Sequence, residues 1–178
     1  MYGIIATWRM ALEGISKANS MLKNNESAAN SIEEAIKAVE NFEYYKSVGY
    51  GGLPNEEMEV ELDAAFMDGD TLEFGCVGGV KDFANPVSIA RSLMHYDANN
   101  FLAGQGAEKY ASRHGFERKT MLTDRAKIHY HNRIKEITNT ELKPYSGHDT
   151  VGMVCLDTAG HMTCATSTSG LFMKHPGR

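Results

Sequence analysis

Residues 146–154 read Ser-Gly-His-Asp-Thr-Val-Gly-Met-Val, setting His148, Asp149 and Thr150 at the threshold of an alternating apolar run. A threonine hydroxyl is a weak nucleophile until a base takes its proton. An internal threonine must borrow that base, whereas a threonine at a chain N-terminus carries its own α-amine, with an ordinary pKa of about 7.7–8.0. Creating such a terminus here means cutting the bond before Thr150. The Thr150 hydroxyl would attack the Asp149 carbonyl carbon, exchanging amide for ester, and water would open the ester. That shift is uphill unless the Asp149 peptide is held distorted, at about 1–3 kcal/mol per strained residue. Gly147 supplies backbone freedom, Asp149 a carboxylate, and His148 a group able to hold the geometry. Read from these residues alone, two alternatives stay open: a self-cleaving junction, or a polar loop that feeds a strand.

The elements around the junction are legible from periodicity. Residues 150–157 and 161–170 read as a β-hairpin turning at Thr158-Ala159-Gly160, with Thr150 as the first strand residue. Residues 58–80 read as two strands with Asp68-Gly69 as a tight turn. Ile32, Ala35, Ile36, Val39 and Phe42 recur at helical spacing, and Ser31 followed by Glu34 gives a capping-box start. Pro86 with Asn85 as cap opens a second helix, the stretch 106–115 a third that stops near Gly115, and Thr123 to Lys135 a solvated fourth. Residues 47–55 (Ser-Val-Gly-Tyr-Gly-Gly-Leu-Pro-Asn) form a loop whose backbone needs unusual freedom. Ile4 and Ile5 before Trp8 suggest a short buried strand. This order predicts one α+β domain, with helices packed on antiparallel sheet.

With 178 residues, 42% hydrophobic and 23% charged, the chain has a globular composition. A net charge of -5 without blocks of like charge predicts no nucleic-acid partner. No apolar run approaches the ~20 residues of a membrane span, so no membrane partner is expected. No export signal is legible, so the chain as written reads as cytoplasmic, with a periplasmic or other exported location left open if a signal preceded it. Cys76, Cys155 and Cys164 fit no zinc spacing and read as reduced core residues. His129 and His131 diverge on a helix, so no metal site is expected there, and no cofactor is called for.

The run from Gly147 to Arg178 resembles the junction of glycosylasparaginases, a family of N-terminal-nucleophile hydrolases. Ala-Thr-Trp at 6–8, the glycine loop at 47–55, Glu-Leu-Asp-Ala-Ala-Phe-Met-Asp-Gly at 61–69 and Asn-Pro-Val-Ser-Ile-Ala-Arg at 85–91 resemble the same family in the same order. The resemblance implies an αββα sandwich and an inactive precursor that cuts itself between Asp149 and Thr150. It implies Thr150 as nucleophile and Thr168 as a second threonine hydrogen-bonded to it. Arg178 would pair with the substrate's free α-carboxylate, a task that suits a guanidinium fork. Trp8 would line the substrate entrance, and Ser47 would lie near the self-cleavage site. Each has a plainer reading: Trp8 as core, Thr168 as a β-prone strand residue, Arg178 as a loose terminus.

In that family, the segment after the equivalent of Arg178 brings an aspartate for the substrate's α-amine, then a Thr-Gly pair forming an oxyanion hole and further sheet and helix. None of this lies within residues 1–178. The expectation is therefore a partial sandwich: one incomplete domain, residues 1–149 corresponding to the α-subunit and 150–178 to the start of the β-subunit. Its partners would be a small glycosylated asparagine or related β-aspartyl amide, the missing C-terminal portion, and a second αβ unit in a homodimer. The related plant-type asparaginases and isoaspartyl peptidases share the Thr-Val-Gly start and the Thr-Ser-Thr strand. His148-Asp149 before Thr150, and Trp8 after the first strand, favour glycosylasparaginase. A third possibility is a non-catalytic remnant or binding module that keeps the first half of the fold.

Overall fold

The computed structural model describes residues 1–96, 99–137 and 150–178. The strands are β1 (Gly3–Ala6), β2 (Glu61–Asp68), β3 (Phe74–Lys81), β4 (Phe101–Ala103), β5 (Val151–Leu156) and β6 (Met162–Thr168). The helices are α1 (Leu12–Lys23), α2 (Ala28–Glu40), α3 (Pro86–Leu93), α4 (Gly104–Arg113) and α5 (Asp124–Ile137). The strands form one sheet in the order β1-β5-β6-β2-β3-β4. All pairings are antiparallel except β3–β4, which is parallel. The fold is α+β with a mixed sheet rather than a purely antiparallel one.

Helices α1, α2 and α3 cover one face. Ile32, Ala35, Ile36 and Val39 of α2 and Ile89, Ala90 and Leu93 of α3 pack there with Ala64, Phe66, Val77, Val151, Met153 and Ala165 from the strands. Such strands carry their apolar residues at every second position, as a half-covered sheet requires.

The other face has no layer over it among the described residues. Register aligns Ile5 with Val154, Val154 with Cys164, Cys164 with Met67, and Met67 with Phe74, an apolar row across five strands. Ile5 is 77% exposed and Val154 44%. With Ala65, Cys76 and Thr166 the row lines an open concavity of about 540 Å³. β1 is thus an edge strand that exposes Ile5, not the buried strand expected. Only Cys155 is a core residue; Cys76 and Cys164 are half-buried. All three are free thiols.

Local signals shifted in instructive ways. Helix α2 starts one turn before Ser31: Ser27 is the cap, its hydroxyl accepting the Asn30 N–H at 3.1 Å, and Ser31 is buried inside the helix. Phe42 lies beyond its end and is 39% exposed. Asp157 Oδ2 accepts the Ala28 N–H at 3.0 Å, so the β5–β6 turn holds the start of α2. Asn85 occupies the cap position of α3 but gives that helix no side-chain bond. The Glu40 carboxylate does the capping, accepting the Val87 N–H at 3.1 Å. Gly115, at φ 75°, ends α4 as expected, with Phe116 N–H reaching back to the Ala111 carbonyl at 3.1 Å. The turn after Asp68 is wider than a two-residue hairpin, with Asp68 Oδ1 accepting the N–H groups of Asp70 and Thr71. Strand β5 begins at Val151, one residue after Thr150.

Candidate active site

The C-terminal ends of β1 and β6 and the N-terminal ends of β5 and β2 meet at one margin of the sheet, because each neighbouring pair is antiparallel. That margin gathers the residues with chemistry. Thr150 is exposed and stands just before β5. Val151 is aligned with Ser167, so one step further along this register sets Thr150 beside Thr168.

The glycine loop after α2 lies against Thr168. Gly49 adopts φ 62°, and a Cβ there would fall 2.2 Å from the Glu40 carbonyl oxygen, so only glycine lets the loop close on the helix end. Tyr50 N–H then bonds the Glu40 carbonyl at 2.7 Å, satisfying a terminal helix acceptor. So anchored, the loop turns the Ser47 carbonyl to β6, where it accepts the Thr168 hydroxyl at 3.2 Å and the Ser169 N–H at 2.7 Å. The Thr168 oxygen also accepts the Gly170 N–H at 3.0 Å.

On the other side of Thr150, Thr7 continues β1. Its N–H bonds the Gly152 carbonyl at 2.9 Å. Its hydroxyl donates to the Thr150 carbonyl at 2.9 Å and accepts the Gly152 N–H at 2.8 Å. Trp8 follows at φ 62°, ψ 149°, a region almost reserved for glycine, and is 55% exposed. It is not core; its main chain follows Thr7 at the margin. Strain of this kind persists only where the surroundings over-determine it.

Residues 173–177 fold back over the start of β2. Met173 N–H bonds the Pro54 carbonyl at 3.0 Å, and Glu56 N–H bonds the Lys174 carbonyl at 3.0 Å. Gly177 N–H is shared by both Glu61 carboxylate oxygens, at 2.9 and 3.1 Å. Lys174 Nζ lies 3.4 Å from the same carboxylate, with both side chains buried. This turn carries Arg178, which is exposed. Asp63, aligned with Thr168, bonds the Gly79 N–H at 2.9 Å where the β2–β3 register slips. Burial raises its carboxyl above the ordinary value.

The margin thus unites Thr150, Thr168, Ser47 and Trp8, with Arg178 on the adjoining turn. Gly147, His148 and Asp149 lie outside the described residues. Among the described residues no group of three or more His, Cys, Asp or Glu side chains could hold a metal ion. No helix among them is long and apolar enough to cross a membrane. The sequence reading missed Thr7, Lys174 and Glu40. For Glu40 a signal existed: it continues the buried series Ile32, Ile36 at four-residue spacing, an acid where the stripe calls for an apolar residue. Nothing in local pattern marks Thr7 or Lys174.

The margin thus sets a hydroxyl-bearing strand end beside a glycine loop, on a sheet covered by helices on one face. Comparison of the whole chain gives its class: the family described as Asparaginase matches residues 5–178, and the chain belongs to it. An N(4)-(beta-N-acetylglucosaminyl)-L-asparaginase of Elizabethkingia miricola is 31% identical over 175 residues, covering 98% of this chain and 51% of that protein. Isoaspartyl peptidase/L-asparaginases of Rattus norvegicus and Mus musculus are 36% and 37% identical, each covering 93% of this chain. The chain spans about half the length of these relatives, 52% and 53% for the two rodent proteins. The family is one of amidohydrolases, and both kinds of substrate specificity occur among these relatives.

Proposed function

We propose that this chain belongs to an amidohydrolase precursor that cuts itself at Asp149-Thr150 and then uses Thr150 as an N-terminal nucleophile. The observation that carries this reading is the position of Thr150: outside the ladder, exposed, next to Thr168, with its carbonyl held by Thr7. In the first reaction the Thr150 oxygen attacks the Asp149 carbonyl carbon as the peptide C–N bond breaks. Water then hydrolyses the ester, leaving a carboxylic acid on Asp149 and a free α-amine on Thr150. In the second reaction that amine takes the hydroxyl proton while the oxygen attacks the substrate's side-chain amide. The proton passes to the departing amine, and water releases aspartate from the acyl-enzyme.

The preferred substrate is asparagine linked to N-acetylglucosamine through its side chain, giving aspartate and a glycosylamine. His148-Asp149 before Thr150, Trp8 at the margin and the Elizabethkingia miricola relative support it. Arg178 is the group suited to the substrate's free α-carboxylate, Trp8 to lining the entrance, and Ser47, Gly147 and His148 to shaping the cleavage junction. The somewhat higher identity to the rodent isoaspartyl peptidase/L-asparaginases favours a second reading, hydrolysis of an isoaspartyl dipeptide or free asparagine.

The bare apolar sheet face supports a four-layer αββα arrangement, in which a second sheet from sequence beyond Arg178 covers the row from Ile5 to Phe74. The same remainder would supply oxyanion donors, and two such αβ units would pair. The test is mass measurement of a family-length protein carrying this chain: the expected product is a fragment beginning with Thr150, absent in Thr150→Ala. Cleaved enzyme is then assayed on glycosyl-asparagine and on an isoaspartyl dipeptide. Full activity from uncut protein would overturn the nucleophile assignment, and an uncut, inactive protein would favour a non-catalytic remnant.

A further inference from the structure

We propose that Thr7 is a positioning residue for the nucleophile: its hydroxyl anchors the new chain end that cleavage before Thr150 creates. This deepens the reading of Thr150 as nucleophile and rests on it. Before cleavage, Thr150 is restrained from both sides by the chain. Afterwards its N-terminal side is free, and chain ends fray unless something ties them down. The ladder does not reach it, since β5 starts at Val151 and the β1–β5 pairing ends with Ala6 aligned to Met153.

Thr7 extends that pairing. Its N–H takes the Gly152 carbonyl at 2.9 Å, and its hydroxyl receives the Gly152 N–H at 2.8 Å. The hydroxyl proton is then directed to the Thr150 carbonyl, 2.9 Å away. One side chain thereby fixes both peptide groups that flank Val151, and with them the Cα from which the Thr150 hydroxyl and amine project. From the other side, the Thr166 hydroxyl bonds the Val151 carbonyl at 2.9 Å, one residue too late to hold Thr150 itself. Thr7 does not touch the reacting atoms; it acts through the main chain of Thr150. Arg178, the group suited to the substrate's α-carboxylate, lies on another turn and the Thr7 hydroxyl faces the main chain of residues 150 and 152, so loss of the anchor should fall mainly on turnover.

The experiment compares Thr7→Val, Thr7→Ala and Thr7→Ser in the full-length protein that carries this chain, after purification of the cleaved form. Glycosyl-asparagine and an isoaspartyl dipeptide serve as substrates. Thr7→Val keeps the shape and loses the hydroxyl, and should lower kcat about ten- to a hundredfold, the scale of a misplacement near 1 Å, with KM within about twofold. Thr7→Ser keeps the hydroxyl and should restore kcat to within about threefold of wild type. Thr158→Val, which deletes a hydroxyl at the far turn of the same hairpin, should match wild type. If Thr7→Val does not fold, the Ser-to-Ala ratio decides: tenfold or more in kcat is expected, and a ratio near one overturns the anchor. A Thr7→Val enzyme with wild-type kcat, while Thr150→Ala is inert, overturns the role of Thr7 and leaves the nucleophile in place. Activity surviving in Thr150→Ala overturns both.

Discussion

Lys174 and Glu61 form an ion pair with both side chains buried, Nζ lying 3.4 Å from Oε2. The carboxylate also receives the Gly177 N–H, and Lys174 Nζ donates to the Arg178 carbonyl at 2.7 Å. Two buried charges are expensive to desolvate, and here they hold the turn that carries Arg178. Lys174→Met should destabilise the fold by about 3–5 kcal/mol, because it leaves the Glu61 carboxylate buried without a cation. Replacing both residues by apolar ones, Lys174→Met with Glu61→Leu, should recover much of that loss. Denaturant unfolding of the two variants checks this; a double variant no more stable than the single one would count against the pair as the origin of the effect.

Arg178 should read the substrate's α-carboxylate. In the family-length enzyme, Arg178→Lys keeps the charge but loses the two-pronged geometry, so it should mainly raise KM. Arg178→Ala should cost more, about 2–5 kcal/mol in kcat/KM, since it strands a desolvated anion. Wild type should reject an α-amidated glycosyl-asparagine. Equal turnover of amidated and free substrate by wild type would remove the assigned role.

Glu40 makes stability depend on pH. Complete burial pushes its carboxyl up to about 7 from the ordinary 4.5, and hydrogen bonds from Asn85 and Val87 only partly pull it back. The native state therefore favours protonated Glu40, while the unfolded chain ionises it near 4.5. Its contribution is fully present below pH 4.5 and is lost as pH rises through about 7, a change of about 3 kcal/mol. Glu40→Gln should flatten unfolding free energy between these pH values, given an Asn85 amide turned to accept. Parallel pH profiles for wild type and Glu40→Gln would contradict the assignment.

The bare sheet face should make one substitution act in opposite directions. Val154, second in the apolar row and 44% exposed, points away from the helices. In residues 1–178 alone, Val154→Lys should reduce aggregation and binding of an apolar dye, because it breaks an exposed patch. In a family-length protein the same change should cut the yield of folded, cleaved enzyme, because the lysine would be buried under the second sheet. An equal, small effect in both settings would argue that nothing covers this face.

Much of the scaffold was legible in order of residues alone. Alternation marked β2, β3, β5 and β6, and the Gly115 stop and Pro86 start bounded α4 and α3. These are short-range signals: each depends on side chains within a turn or a strand of one another. Helix α1 escaped notice because its buried positions are Gly14, Ala18 and Leu22, two of them too small to stand out as an apolar stripe. β4 is three residues long and pairs in parallel, a partnership no local pattern announces.

What only the tertiary structure decided is which distant groups meet. Thr7 and Thr150 are 143 residues apart in the chain and share a hydrogen bond because β1 adds itself to the outer edge of the β5–β6 hairpin. Ser47 reaches Thr168 across 121 residues because Gly49 lets a loop close on the end of α2. Glu40 is acidic in the sequence and protonation-prone in the fold because three separate elements bury it together. Side-chain type sets what each residue can do, but the dielectric around it and the partner beside it come from long-range packing. Those two quantities decide whether a threonine is a strand residue or a nucleophile.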